Sequence, residues 1–416
     1  MRIIHDRVAG LDVHKKVVVA ALIVKQEDGS WLEDKRNFGT MTADLLTLSD
    51  WLLLHSVTHV AMESTGEYWK PVFNILENNF EVLVVNAQHI RKVPGRKTDQ
   101  SDAQWIAELL EYGLLKASFI PPLGQRELRE LVRFRSSFVR ERATLVNRVQ
   151  KVLESANIKL ASVATDVMGA SGRAMLAALI EGNTTAEQMA ELAKGRLREK
   201  RDELAKALTG RVKPHHRFVL TELLCQIDSL DETLERFDEQ IEQYCRPFEA
   251  AVALLDTIPG VGRETAELIV SEIGADMSPF PTANHLAAWA GLAPGNHESA
   301  GKRRSGRTRK GNHALRWGLT QAAHAVGHTK GNYLSAQFHR LTYRRGKKKA
   351  VVAVCHSILV IAYHMLKRKE PYQDLGGDYF DKQKPEATAK RLTQRLEKLG
   401  YQVTLQAEPV SLPVAG

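Results

Sequence analysis

RVAGLDVHKKVVVAALIVK, residues 7–25, opens the chain with two β-rich runs, 8–11 and 17–24, joined by a short charged turn. Branched and small apolar residues in such short runs suit a pleated, half-buried surface, and their closeness in sequence makes them a hairpin. Outward from it, residues 36–39 read as a third short strand and 42–55 have helical periodicity. Residues 57–62 are an apolar strand, 68–76 a helix and 81–85 a fifth strand. After the Pro94–Gly95 loop, residues 99–110 are helical again.

Three strands, helix, strand, helix, strand, helix is the order of an RNase H-like (RuvC-like) α/β domain, expected over residues 1–118. Four acids fall at matching points of that order. Asp12 ends the first strand in AGLDVHK and Glu63 ends the fourth in HVAMEST, while Asp99 and Asp102 begin the last helix in KTDQSDA. The i, i+3 spacing puts Asp99 and Asp102 on one helix face, and a helix N-terminus tolerates negative charge. Each acid has a plainer reading: Asp99 as a helix cap, Glu63 as a strand-end charge, Asp12 as turn chemistry. Together they form the oxygen cluster that a hard divalent ion needs for phosphate chemistry. His14 either assists the cluster or is structural.

The middle, residues 119–250, is expected to be helical. Leu131, Phe138, Leu145 and Val152 recur every seventh residue, and residues 220–244 place Leu220, Leu223, Ile227, Leu230, Leu234, Phe237, Ile241 and Tyr244 at alternating steps of three and four. Such a seam serves a long intramolecular hairpin or a dimerising coiled coil, since it does not say whose helix it faces.

Residues 251–370 are expected to form a mainly α-helical domain. IPGVGRETAELIVSEIG, residues 258–274, has a helix-hairpin-helix pattern, in which Gly260 and Gly262 let backbone approach a phosphate. An ordinary tight turn between helices is the alternative. Downstream, Lys302, Arg303, Arg304, Arg307, Arg309 and Lys310 are spaced by Gly and Ser, which suits a phosphate-contacting loop unlikely to pack. Within the same stretch Ser299 and Ser305 are rival nucleophiles, and a solvated basic loop accounts for both equally. A further basic run covers Arg344, Arg345 and Lys347 to Lys349. The tail, 371–416, carries a short helix between Pro385 and Gly400.

The chain of 416 residues has a formal net charge of +9 and three cysteines, none at zinc-ligand spacing. That balance favours nucleic acid as partner, and a reducing, cytoplasmic setting. No secretory apolar region follows Met1, and the nearest apolar run, residues 350–366, carries two histidines, so no membrane is expected.

GLDVHK, AMESTGEYW, RKTDQSDA, IPGVG and AAWAGLAPGNHESAGK, in this order, resemble the insertion-sequence transposase family numbered one hundred and ten, with its eleven-eleven subgroup and the related Piv-type invertases. The resemblance runs from Arg7 to about Lys369. It implies a bacterial, nucleoid-associated recombinase that pairs a DEDD domain with a serine domain and cuts and rejoins donor and target DNA through a phosphoserine link. It also implies guidance by a structured non-coding bridge RNA, and homodimers assembling to homotetramers in which the DEDD cluster of one subunit meets the serine of another. By position, Asp12, Glu63, Asp99 and Asp102 match the metal ligands for Mg²⁺ (or Mn²⁺), and Ser299 matches the nucleophile. Glu298 stands where some relatives have a small residue; an acid there repels phosphate or acts as a base. Two other readings of the residues are a metal-dependent endonuclease for branched DNA, which needs the acids and not Ser299, and a non-enzymatic architectural protein, which leaves the acids unexplained.

Overall fold

The computed structural model describes residues 3–64, 66–90, 101–295 and 297–406, with residues 88, 89, 297–299 and 303–305 as backbone only. It divides into two compact units, residues 1–120 and 121–416.

The first unit is built on a five-stranded mixed sheet. Its strands are β1 (Arg7–Val13), β2 (Val17–Lys25), β3 (Trp31–Gly39), β4 (His59–Glu63) and β5 (Glu81–Val85). They lie in the order β3-β2-β1-β4-β5, with β1–β2 and β2–β3 antiparallel, and β1–β4 and β4–β5 parallel. Helices α1 (Thr42–Leu54), α2 (Trp69–Leu76), α3 (Ala87–Ile90) and α4 (Asp102–Glu111) complete the unit. β3 is more than twice as long as the sequence suggests, because it is an edge strand whose Glu33, Asp34, Lys35 and Arg36 hide the apolar alternation.

The two faces of the sheet are covered separately. Ala9, Leu11 and Val13 of β1, with Val60 and Met62 of β4, pack against Leu48 and Leu52 of α1 and Val72 and Leu76 of α2. Val8 and Ala61 point the other way, into a cluster with Trp105, Ile106, Leu109 and Leu110 of α4. Alternation along a strand therefore assigns even-numbered positions of β1 and odd-numbered positions of β4 to the α4 face.

The second unit is helical apart from one small hairpin. α5 (Leu123–Ser155) leads into α6 (Leu160–Val163), α7 (Ala170–Glu181), α8 (Ala186–Glu191) and α9 (Arg201–Leu208), which share a core with the ends of α5 and of α10 (Pro214–Cys245). α10 packs along α5 within the chain: Phe138 meets Phe237 with ring centroids 5.2 Å apart, and Arg142 pairs with Asp231. The seam thus has a partner helix within the chain, while Tyr244 at its end stays exposed.

Then follow α11 (Glu249–Asp256), α12 (Arg263–Ile273), α13 (Ala283–Trp289), the strands β6 (His297–Ser299) and β7 (Lys302–Ser305), α14 (His313–Val326), α15 (Tyr333–Arg345), α16 (Lys347–Arg368), α17 (Tyr379–Lys382) and α18 (Pro385–Glu397). α16 is long and apolar enough to cross a membrane by composition. Its apolar side is instead the core of this unit: Val354, Ile358, Leu359 and Ala362 are fully buried. The tail helix α18 buries none of its residues, leaving Leu392 and Leu396 exposed.

Candidate functional site

In the first unit the geometry of the acids follows from β1. Gly10 lies on the α4 face, and a β-carbon there would stand 2.2 Å from the Ala103 carbonyl oxygen and 2.4 Å from the Ala107 nitrogen. Both are backbone atoms, so only glycine lets α4 lie directly on the strand. α4 runs back along β1, since the carbonyl of Glu111, its last residue, accepts from the amides of Ile4 and His5 at 2.9 and 3.1 Å. Its first residue, Asp102, is therefore at the other end of β1, where Asp12 lies.

Glu63 arrives at the same edge by register. In the parallel β1–β4 pair Leu11 is opposite Met62, and the same offset carries Asp12 to Glu63. Both fall on the α4 face by alternation. Three carboxylates from three elements thus collect at one edge of the sheet, beneath a helix N-terminus that favours negative charge. Asp12 and Glu63 are half-buried and Asp102 is exposed. His14 lies beside Asp12, its Nε2 3.1 Å from the carboxylate oxygen.

The start of α4 corrects one sequence argument. Its cap is Ser101, in a reciprocal capping box with Gln104, and Ser101 is extended (φ −68°, ψ 153°). The helix therefore begins at Asp102. Asp99 lies outside the described residues. Among the described residues no three His, Cys, Asp or Glu form a group that could hold a metal ion. The donor chemistry nevertheless suits one: the three acids offer only carboxylate oxygen, which hard divalent ions take.

In the second unit the serine segment is shaped by glycine. The stretch expected to stay unpacked is a two-stranded hairpin, in which Glu298 is opposite Arg303 and Ser299 opposite Lys302. Its two-residue turn has Ala300 at φ 51° and Gly301 at φ 74°. Both angles are left-handed, as tight hairpin turns require, and only Ala300 pays for it in strain. Ser299 is thus the last strand residue before a strained turn position.

The base of this segment is pinched shut. A β-carbon on Gly311 would lie 2.3 Å from the Gly291 nitrogen and 2.4 Å from the Ala290 carbonyl carbon. Arg316 of α14 holds the returning limb, donating to the Arg309 carbonyl at 3.0 Å and the Thr308 hydroxyl at 3.4 Å. Lys302, Arg307, Arg309 and Lys310 are exposed on it.

Below the pinch lies a buried carboxylate that sequence reasoning missed. Glu272, at 0% exposure, accepts from Arg133 Nε at 2.6 Å and Nη2 at 2.9 Å, and from Asn312 Nδ2 at 2.5 Å. Arg129 is 3.3 Å away and also donates to the carbonyls of Ser271 and Glu272 at the end of α12. Burial pulls the Arg129 guanidinium down to about 10, against the opposing pull of Glu272. Asn312 also caps α14 through the Leu315 amide. Nothing in the sequence marks Glu272 except a charge on the apolar side of α12.

Gly260 and Gly262 sit in the turn between α11 and α12. Gly260, at φ 82°, faces α14: a β-carbon would lie 2.7 Å from the Ala322 carbonyl oxygen. Its need for glycine is internal packing. Gly262 is exposed, has open space around its α-carbon and precedes α12 with no side-chain cap.

Comparison with known proteins bears on both units. Residues 9–158 match a DEDD transposase model of IS110 type, and residues 252–340 match the family described as Transposase IS116/IS110/IS902. The two matches together take in more than half of the chain and contain every residue discussed above as a site. The chain belongs to this transposase family. The transposase for insertion sequence element IS1111A of Coxiella burnetii is 27% identical over 321 residues, 76% of this chain and 79% of that protein. A probable family 20 transposase of Pseudomonas aeruginosa is 27% identical over 327 residues, covering 76% of this chain and 85% of that protein. The pilin gene-inverting protein of Moraxella bovis is 33% identical over 149 residues, 34% of this chain and 45% of that protein. The transposase is accordingly an enzyme of the transposase and site-specific recombinase class.

Proposed function

We propose that this transposase recombines DNA through a covalent link to Ser299, supported by a metal-binding carboxylate site in its first unit. What supports the proposal is that Asp12 and Glu63 lie at the same end of neighbouring strands and α4 begins with Asp102 at that end, in a sheet whose strand order is that of an RNase H-like domain. Asp12, Glu63 and Asp102, with Asp99 as the fourth ligand, would hold Mg²⁺ or Mn²⁺. Bound there, the ion supplies Lewis-acid stabilisation of charge on phosphate oxygens.

The chemistry of the chain's own residues is a transesterification. The Ser299 oxygen forms a bond to a DNA phosphorus as the bond to the 3′ oxygen breaks, and the serine proton ends on the released 3′-hydroxyl. Religation reverses this on the exchanged strand, so phosphoester bonds are conserved and no external energy source is needed. Lys302, Arg303, Arg304, Arg307, Arg309 and Lys310 neutralise phosphate at the hairpin, and the exposed amide end of α12 at Gly262 adds a backbone contact. Site choice by a structured guide RNA, and assembly of homodimers into a homotetramer, belong to the same proposal and rest on the family resemblance.

The test is a denaturing gel for a protein–DNA adduct. Full-length protein, element-derived RNA, labelled donor and target duplexes and Mg²⁺ are compared with Ser299→Ala and Asp102→Ala. We expect an adduct that is lost in both variants and in chelator. Cleavage that survives Ser299→Ala with no adduct overturns the serine role and leaves a metal-dependent nuclease.

A further inference from the structure

From Ser299 to Lys369 the chain holds seventeen Lys and Arg and no Asp or Glu. The whole chain has 58 Lys and Arg against 49 Asp and Glu, so the remainder is left with 41 against 49 and is net acidic. All of the net positive charge therefore belongs to this stretch, and the serine hairpin with its returning limb uses only six of the seventeen.

A second group gathers where α15 meets α16. Arg344, Arg345, Lys347, Lys348 and Lys349 are all exposed. No ion pair among the described residues involves any of them. The connection between the helices is one residue, Gly346, at φ 83°, so these charges are fixed on two rigid helix ends rather than on a loop. Beside them Tyr343 is 94% exposed, the barest large hydrophobic side chain among the described residues. Arg340, three residues before it, is its neighbour at helical spacing, and the Arg340 guanidinium lies 5.1 Å from the Phe380 ring, which holds that arginine in place.

Leaving an aromatic ring bare forgoes the free energy that burying it would give. Next in sequence to five exposed cations, the Tyr343 ring suits a ligand with both flat faces and phosphates. An unpaired nucleic-acid strand has both, whereas a duplex keeps its bases stacked inside and offers the corner phosphate only. A bilayer surface fits less well, because Val351, Val354, Ile358 and Leu359 on the apolar side of α16 are already buried.

We propose that the α15–α16 corner binds an unpaired nucleic-acid strand, with Tyr343 stacking on a base and Arg344, Arg345, Lys347, Lys348 and Lys349 contacting the phosphates. The site uses none of the residues assigned to strand cleavage, so it stands or falls apart from the phosphoserine reading.

The test is fluorescence anisotropy of the full-length protein with labelled oligo-dT, oligo-U and a mixed-sequence duplex of equal length. Loss of one base stack is worth about 1–3 kcal/mol, and the lower half of that range corresponds to roughly tenfold in affinity. We expect Tyr343→Ala to weaken binding of oligo-dT, oligo-U or both by about tenfold, with the duplex changed less than twofold. Tyr343→Phe should restore single-strand binding, and the thermal midpoint should stay at that of the unaltered protein. Which single strand responds identifies the strand as DNA or RNA. Replacing Lys347, Lys348 and Lys349 by Ala should weaken all three ligands and flatten their salt dependence by about 2–3 counterions. Single-strand affinity within twofold after Tyr343→Ala overturns the proposal, as does an equal loss on the duplex. A Tyr343-dependent loss confined to phosphatidylserine vesicles overturns it in favour of a membrane surface.

Discussion

Removing the Glu272 carboxylate should loosen the second unit and open the serine segment at once. In Glu272→Ala, Arg133 loses both of its bonds to the carboxylate, Asn312 loses its acceptor at 2.5 Å, and Arg129 loses its nearest counter-charge at 3.3 Å. Breaking a buried ion pair from one side costs roughly 3–5 kcal/mol, because the remaining charge stays buried. Arg133 is 46% exposed and can turn to water, whereas Arg129 is only 14% exposed and cannot, which places the cost near the lower end, about 3 kcal/mol. For a unit of this size that lowers the thermal midpoint by roughly 5–10 °C. Calorimetry measures it. A second readout is local: Asn312 follows Gly311, the pinch residue, so trypsin should cut between Lys302 and Lys310 faster in the variant before the unit unfolds. A cost under 1 kcal/mol, with unchanged cleavage, would refute the reasoning that this network holds the base of the segment.

Gly10→Ala should destabilise the first unit by several kcal/mol, since the added carbon meets α4 backbone at 2.2 Å and backbone cannot step aside; circular dichroism melting checks it. Gly311→Ala should leave the far-UV spectrum unchanged and cut adduct formation about 100-fold, the scale of a misplaced reacting group, because its new carbon meets Gly291 backbone at 2.3 Å. Burial pushes the Cys245 thiol up to about 12 and the Cys355 thiol up to about 11, while Cys225 is exposed. A raised thiol pKa leaves less of the reactive thiolate, so at pH 8 native protein should react quickly with one equivalent of a thiol reagent and unfolded protein with three.

Much of the first unit was legible because its strands carry their own pattern: β1, β2, β4 and β5 are apolar enough to show at once. β3 was legible only at its last residues, since an exposed edge strand has no buried alternation to display. The acids at Asp12 and Glu63 were readable from strand ends, and the register then brought them together. Asp102 was readable too, but the helix start was placed three residues early, because Ser101 competes with Asp99 as a cap and only the Gln104 partner decides between them. The seam of α5 and α10 was visible as a period and silent about its partner, as any heptad is. The serine hairpin was hidden because HES and KRRS have no strand-like alternation; its form comes from the turn at Ala300–Gly301 and the glycine pinch, neither of which leaves a periodic trace. Glu272 was hidden for the opposite reason. A charge on a helix usually faces water, and what keeps this one inside comes from Arg133 of α5, 139 positions earlier, and from Asn312, 40 positions later.

The most direct measurement of the central claim is mass spectrometry of the trapped adduct after exhaustive nuclease and protease digestion. The peptide spanning residues 291–302 should carry a nucleotide remnant through phosphate on Ser299. A remnant on Ser305, on another residue, or on no peptide despite cleaved DNA would contradict the serine chemistry proposed for this transposase.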